Sequence, residues 1–201
     1  MDEKMKTYLV THSLLSSWLY AMRENPYSDG AEDPWADFLR TLRREPGEQS
    51  DAMTKGLDFE LDVMRCVDGK EPKYPGAAVV ADIVRGGAFQ VSQNKRLTVS
   101  GMPVILHGRL DALKAGVIYD IKYTGKYERG KYFESTQHPV YFELVPEAME
   151  FTYVVSDMNT VWTETYRRDE TPSIIPTVQD FFGWLETVGL IGEYCQYWLA
   201  L

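Results

Sequence analysis

Hydrophobic and polar positions change rhythm twice along the chain. From Ser13 to Arg23, Leu14, Leu15, Trp18, Leu19 and Met22 fall at helical spacing, with Ser13 placed to cap the first turn and Asn25-Pro26 to end it. A second helix is predicted over 34–44, opened by Pro34 in its first turn. A third is predicted over 51–67, with Leu57, Leu61 and Met64 sharing a face, and a short fourth over 77–84, closed by Gly86-Gly87. The period then drops to two. Residues 88–99, 102–113 and 117–124 are rich in β-branched side chains and read as strands, the last pair joined as a hairpin over Lys114-Ala-Gly116. A helix over 136–144, a hairpin of 151–157 with 161–167 over Met158-Asn159, and an apolar helical region over 177–201 complete the chain. Helices, a strand block, a helix, strands and a helix predict an α/β fold: a mixed central sheet flanked by helices.

The chain has 201 residues, 44% of them hydrophobic, which excludes wholesale disorder. At roughly 150 residues per domain, 1–201 is expected to form one domain. No run of about 18 uncharged apolar residues predicts a membrane span. No apolar leader follows Met1-Asp-Glu-Lys-Met-Lys, so a cytoplasmic protein is expected. Cys66 and Cys195 are the two cysteines, too few for a four-thiolate iron–sulfur cluster. The net charge is −9 but unevenly spread: residues 61–136 hold 12 basic and 8 acidic side chains, while residues 137–201 hold 2 and 10. Net acidity disfavours non-specific coating of nucleic acid, yet a basic middle can hold a phosphate backbone locally.

The chemistry-bearing stretch is Leu106-His-Gly-Arg-Leu-Asp111 followed by Val117-Ile-Tyr-Asp120-Ile-Lys122-Tyr-Thr. Alternation puts Asp120 and Lys122 on one face of a strand, and a hairpin can bring Asp111 beside Asp120. Two carboxylates and an amine then converge. A hard divalent cation offsets the carboxylate repulsion, and oxygen ligands suit Mg²⁺. Such a set suits attack of a metal-bound water on a phosphodiester. His107 is expected on the Asp111 face as an ordinary strand histidine, His138 away from the site, and His12 in the turn before the first helix.

The order Asp111, Asp120-x-Lys122 resembles the PD-(D/E)xK nuclease superfamily, and two flanking motifs sharpen the likeness to its RecB-like and lambda-exonuclease-like branch. Gly56-Leu-Asp-Phe-Glu60 is similar to the branch's Gly-x-x-x-Glu helix, and Gln137-His-Pro-Val-Tyr141 to its Gln-x-x-x-Tyr helix. The resemblance covers roughly residues 10–157, with the catalytic core over about 50–157. It departs at Leu110, where the superfamily has proline, and at Asp120, where glutamate is commoner.

The resemblance implies a restriction-endonuclease-like fold and an Mg²⁺-dependent deoxyribonuclease, an exonuclease in particular, with Mn²⁺ able to substitute. It implies a setting in phage recombination, repair or defence. Asp111, Asp120, the Ile121 carbonyl and Glu60 would hold metal, Lys122 would orient the water, and Gln137 and Tyr141 would support the site. DNA is the expected partner. Lys126, Tyr127, Arg129 and Lys131 interleave bases with aromatics just after Lys122 and are expected to contact it. A catalytically inactive nuclease-fold module for binding DNA or protein is the alternative. The apolar C-terminal region, read as core, leaves a homo-oligomer open.

Overall fold

The computed structural model describes residues 6–23, 33–47 and 50–200. Six strands and seven helices follow in the order β1 (Tyr8–Thr11), α1 (His12–Met22), α2 (Pro34–Leu42), α3 (Asp51–Val67), α4 (Pro75–Val84), β2 (Ala88–Val99), β3 (Met102–Lys114), β4 (Val117–Tyr123), α5 (Gln137–Leu144), β5 (Glu150–Ser156), β6 (Val161–Arg167), α6 (Ile175–Thr187) and α7 (Ile191–Tyr197). The α/β fold with a mixed sheet flanked by helices is as expected. The end assigned to the first helix at Asn25-Pro26 lies outside the described residues.

The strand order is β1-β3-β4-β5-β6, with β2 added on β3. β2 runs antiparallel along nearly the whole of β3, from Ala88 opposite Leu113 to Val99 opposite Met102. A strand has two edges, so the other edge of β3 is shared. Parallel β1 takes Val104–His107, and antiparallel β4 takes Ala112–Lys114. Residues 108–111 lie between them, where the sheet forks. β4 leaves the fork to pair in parallel with β5, and β5 pairs antiparallel with β6.

The sheet separates two apolar clusters. On one face α1, α2, α5, α6 and α7 build a large aromatic core that includes Trp18, Phe38, Phe181, Phe182, Tyr194 and Trp198, all buried. On the other, α3 and α4 pack smaller side chains, among them Val63, Ala77, Val80 and Ala81, onto Ala112, Ile121 and Val154. The apolar C-terminal region is therefore largely core. Its chain end also guards the sheet: Leu9 donates its amide to the Trp198 carbonyl at 2.7 Å, and Ala200 to that of Thr7 at 2.8 Å.

Three local expectations change. β1 was not foreseen, because four residues are too few to establish a period of two. The α1 cap is Thr11, whose hydroxyl accepts from the Leu14 amide at 3.3 Å, rather than Ser13. On α3 the inward stripe is Phe59, Val63 and Cys66, while Leu57 and Leu61 are exposed. A helix has one inward face, and turning it to bury Leu57 and Leu61 would expose Phe59 and Val63.

Candidate active site at the sheet fork

At the fork, backbone groups that lack a neighbouring strand find side chains. The Asp111 carboxylate accepts the Ile121 amide at 2.8 Å, and the Tyr141 hydroxyl donates to the Arg109 carbonyl at 2.8 Å. Buried polar backbone groups require such partners. Gly108 lets α5 settle here: a Cβ at this position would lie 2.4 Å from Tyr141 Cε1 and 2.7 Å from Leu144 Cδ1. The fork thus seats the helix that carries Gln137 directly above Asp120.

Asp120 and Lys122 share a face as alternation requires, with Lys122 Nζ 2.8 Å from Asp120 Oδ2. Gln137 donates its amide to Asp120 Oδ1. Asp120 is buried, and among the described residues its Oδ2 makes no hydrogen bond of regular geometry beyond the charged contact with lysine. Burial, and then the Asp120 charge, push the Asp111 carboxyl up to about 7. Burial works to depress the Lys122 ammonium, but Asp120 and Asp111 outweigh it and hold the group above its ordinary value. A pair of repelling carboxylates, one with an open lone pair, fits a small divalent cation.

Glu60 reaches this field from α3, and its charge also raises Asp111. It is not at the aspartates' side as a ready third ligand. Gln90 donates its Nε2 to Glu60 Oε1 at 2.8 Å. Among the described residues no three His, Cys, Asp or Glu side chains stand close enough to cage a metal. Gln90 escaped the sequence reading. It stands opposite Asp111 in the β2–β3 register, between the pairs Phe89–Ala112 and Val91–Leu110, with a left-handed φ of 54°. Such a backbone in a non-glycine strand residue costs energy and concentrates at functional sites. The only sequence signal was a polar residue facing a motif aspartate.

Tyr141 stands within the core: it is 3% exposed, stacked on Phe151 with ring centroids 5.8 Å apart, and its hydroxyl donates to the Arg109 carbonyl, so it braces the fork. Burial, then Asp120, push its phenol up to about 12. Ile121 gives its amide to Asp111 and its side chain to the smaller cluster.

His12 also departs from expectation. It opens α1 and lies beside the site, its ring centroid 5.8 Å from that of Tyr141. Burial and the Lys122 charge push its imidazole down to about 4, so it is neutral at physiological pH. His107 bonds Asn94 at 2.8 Å, and His138 is buried against Tyr153 and Tyr166, both as ordinary structural histidines.

The loop after β4 is more ordered than a solvated basic loop. Glu164 of β6, 9% exposed, accepts the Tyr127 hydroxyl at 2.9 Å, the amides of Gly130 and Tyr132 at 3.1 and 3.3 Å, and the Tyr166 hydroxyl. Tyr127 stacks on Trp162 with ring centroids 5.3 Å apart, so its ring and hydroxyl both anchor the loop to β6. Lys126 pairs with Glu128 on the surface, Lys131 donates to the Thr124 hydroxyl at 3.1 Å, and Arg129 is exposed. The outward aromatic of this loop is Phe133, 73% exposed, a position the sequence reading did not single out.

Among the described residues no helix is long and apolar enough to cross a membrane. No protein-family model matches the chain, and no curated protein does. Among solved structures, the crystal structure of SSO0001 is similar over 92% of this chain and 80% of its own, with a TM-score of 0.52 at 13% identity. At that identity the likeness is one of fold: a six-stranded mixed sheet flanked by helices.

Proposed function

We propose that the chain is a metal-dependent DNA nuclease that hydrolyses phosphodiester bonds. The observation that carries this reading is the fork itself. The Asp120 charge adds to the cost of ionising Asp111, and the buried Asp120 Oδ2 has only the charged Lys122 contact at 2.8 Å, with no hydrogen bond of regular geometry. A purely structural role would leave these groups neutral or fully paired. The preference for an exonuclease follows from the motif order Glu60, Asp111, Asp120-x-Lys122, Gln137-x-x-x-Tyr141.

Asp111, Asp120 and the Ile121 carbonyl would hold the cation, with Glu60 assisting from α3. Bound there, Mg²⁺ supplies a lowered water pKa and charge stabilisation on the phosphate oxygens. Lys122 remains protonated beside the carboxylates, so it orients the attacking water and offsets charge on the phosphate. Gln137 fixes the Asp120 carboxylate through Oδ1, and Oδ2, which Lys122 contacts, would turn to the cation. His12, neutral, closes the wall beside Lys122 without adding repulsion.

The test is cleavage of labelled DNA with Mg²⁺ or Mn²⁺ by wild type and by Asp120→Ala. Activity that disappears in the variant and with EDTA is expected. Wild type that binds DNA without cutting it under any divalent ion would move the protein to an inactive nuclease-fold module.

A further inference from the structure

We infer a nucleobase-stacking subsite between α1 and the loop after β4, which takes an unpaired nucleotide next to the scissile phosphate. The inference rests on the nuclease reading and names the form of DNA that the site accepts. A cavity of about 400 Å³ lies here, lined on the helix side by Leu19, Tyr20 and Arg23 and on the loop side by Lys131, Phe133 and Ser135. Phe133 is 73% exposed and Tyr20 57% exposed, although isolated aromatic rings are normally buried. Phe133 leans on Tyr166 with ring centroids 6.5 Å apart, which steadies it while most of its surface faces water.

The cavity is tied to the catalytic centre at both walls. α1 begins with His12 beside Lys122 and Tyr141, and its carbonyl accepts the Thr136 hydroxyl at 3.0 Å. From His12 to Arg23 the helix extends about 16 Å. The loop wall ends at Thr136, one residue before Gln137, and Ser135 accepts the Gln137 amide at 3.1 Å. A strand leaving the scissile phosphate along α1 therefore passes Tyr20 and Phe133 first and Arg23 last.

Charge agrees with this path. Arg23 pairs with Glu134 at 2.8 Å, but both side chains are more than half exposed, so the pair is worth little and yields readily to a phosphate. Lys131 lies on the same cavity. In a duplex each base face is covered by its neighbours, whereas an unpaired base offers its face to an aromatic ring. The subsite accordingly selects single-stranded ends over blunt duplex.

The experiment measures binding in EDTA, where no cleavage occurs, of the full chain to a fluorescein-labelled thymidine strand roughly 10 nucleotides long and to a blunt duplex. Stacking contributes about 1–3 kcal/mol per base, or roughly a 5- to 150-fold change in affinity. Phe133→Ala and Tyr20→Ala are each expected to weaken the single strand about tenfold while duplex binding stays unchanged, and Phe133→Trp restores it. Both side chains are exposed, so unchanged melting temperatures show that folding is intact. Single-strand affinity indifferent to both alanines, or equal losses on strand and duplex, overturns the subsite. If wild type shows the stacking signature but never cuts DNA, the subsite stands and the nuclease reading falls. If it cuts DNA and the alanines are silent, the reverse holds.

Discussion

Two buried acid sites a few strands apart handle negative charge in opposite ways. Glu164 on β6 is surrounded by donors: two tyrosine hydroxyls and two backbone amides. Burial works against its charge, yet those hydrogen bonds prevail and hold its carboxyl below the ordinary glutamate range. Asp62 on α3 also has its donors, accepting the amides of Lys73 and Tyr74 at 2.8 and 2.9 Å. At the fork, Asp111 accepts one amide and faces another carboxylate, and burial with that neighbour drives it up to about 7. Full satisfaction marks an acid that staples a fold. An acid left underpaired beside a like charge stores unfavourable energy that a ligand can release.

The sharpest way to break this comparison is Asp111→Asn. Asparagine can still accept the Ile121 amide but carries no charge. If the fork holds a catalytic cation, cleavage falls by at least about 10³-fold, the scale of losing a principal electrostatic group. Without metal, the same change raises stability at pH 8, by up to about 4 kcal/mol if the whole penalty is relieved. The sign follows from the raised carboxyl: the folded state binds the proton more tightly than the unfolded chain, so wild type loses stability as pH rises from about 4 through about 7. The advantage of the asparagine variant should therefore vanish by pH 4. Mg²⁺ must displace this proton, so its apparent affinity for wild type should weaken about tenfold per pH unit below 7. Urea titrations with and without Mg²⁺ across this range read both effects, and an asparagine variant less stable than wild type at pH 8 contradicts the stored repulsion.

Glu164→Leu probes the other side. Four donors lose their acceptor at once, and a cost of about 3 kcal/mol or more is expected. If the fork binds Mg²⁺, the melting shift it produces should survive, because Glu164 organises the loop and not the fork. A Glu164 variant of normal stability would remove the distinction between stapling and functional acids.

The fork's chemistry was legible because it follows strand geometry. Asp120 and Lys122 had to share a face, whereas the place of Gln137 beside them was implied by the motif resemblance alone. Packing details were not legible. Helical spacing on α3 offered two stripes of similar apolarity, and only the small side chains of α4 decide that Phe59 and Val63 go inward. The partners of the two tyrosines were not legible either, because each phenol meets an acceptor that arises only in three dimensions, the Arg109 carbonyl for Tyr141 and the Glu164 carboxylate for Tyr127. Long-range pairing likewise brought His12 beside Lys122, since β1 must first dock on β3 to place α1. The fold class needed none of this, because helix and strand periods are local.

Gln90 gives the finest test of the comparison, since its effect is the smallest. It holds Glu60 at 2.8 Å from a left-handed backbone at 54°. Glycine adopts that φ freely, so Gln90→Gly should leave stability unchanged or raise it by about 1 kcal/mol. The same substitution frees Glu60 from its only described side-chain donor. A mobile third carboxylate should weaken Mg²⁺ and lower turnover by a few-fold, roughly the price of one lost orienting hydrogen bond. Gln90→Glu keeps the length but sets a second carboxylate against Glu60, so it should impair Mg²⁺-dependent cleavage more than glycine does. Isothermal titration with Mg²⁺, paired with melting curves, separates the two contributions. Higher stability with weaker metal binding marks Gln90 as strained in the service of the site. Lower stability with unchanged metal binding would make it an ordinary brace, and would place Glu60 with the stapling acids instead of the fork.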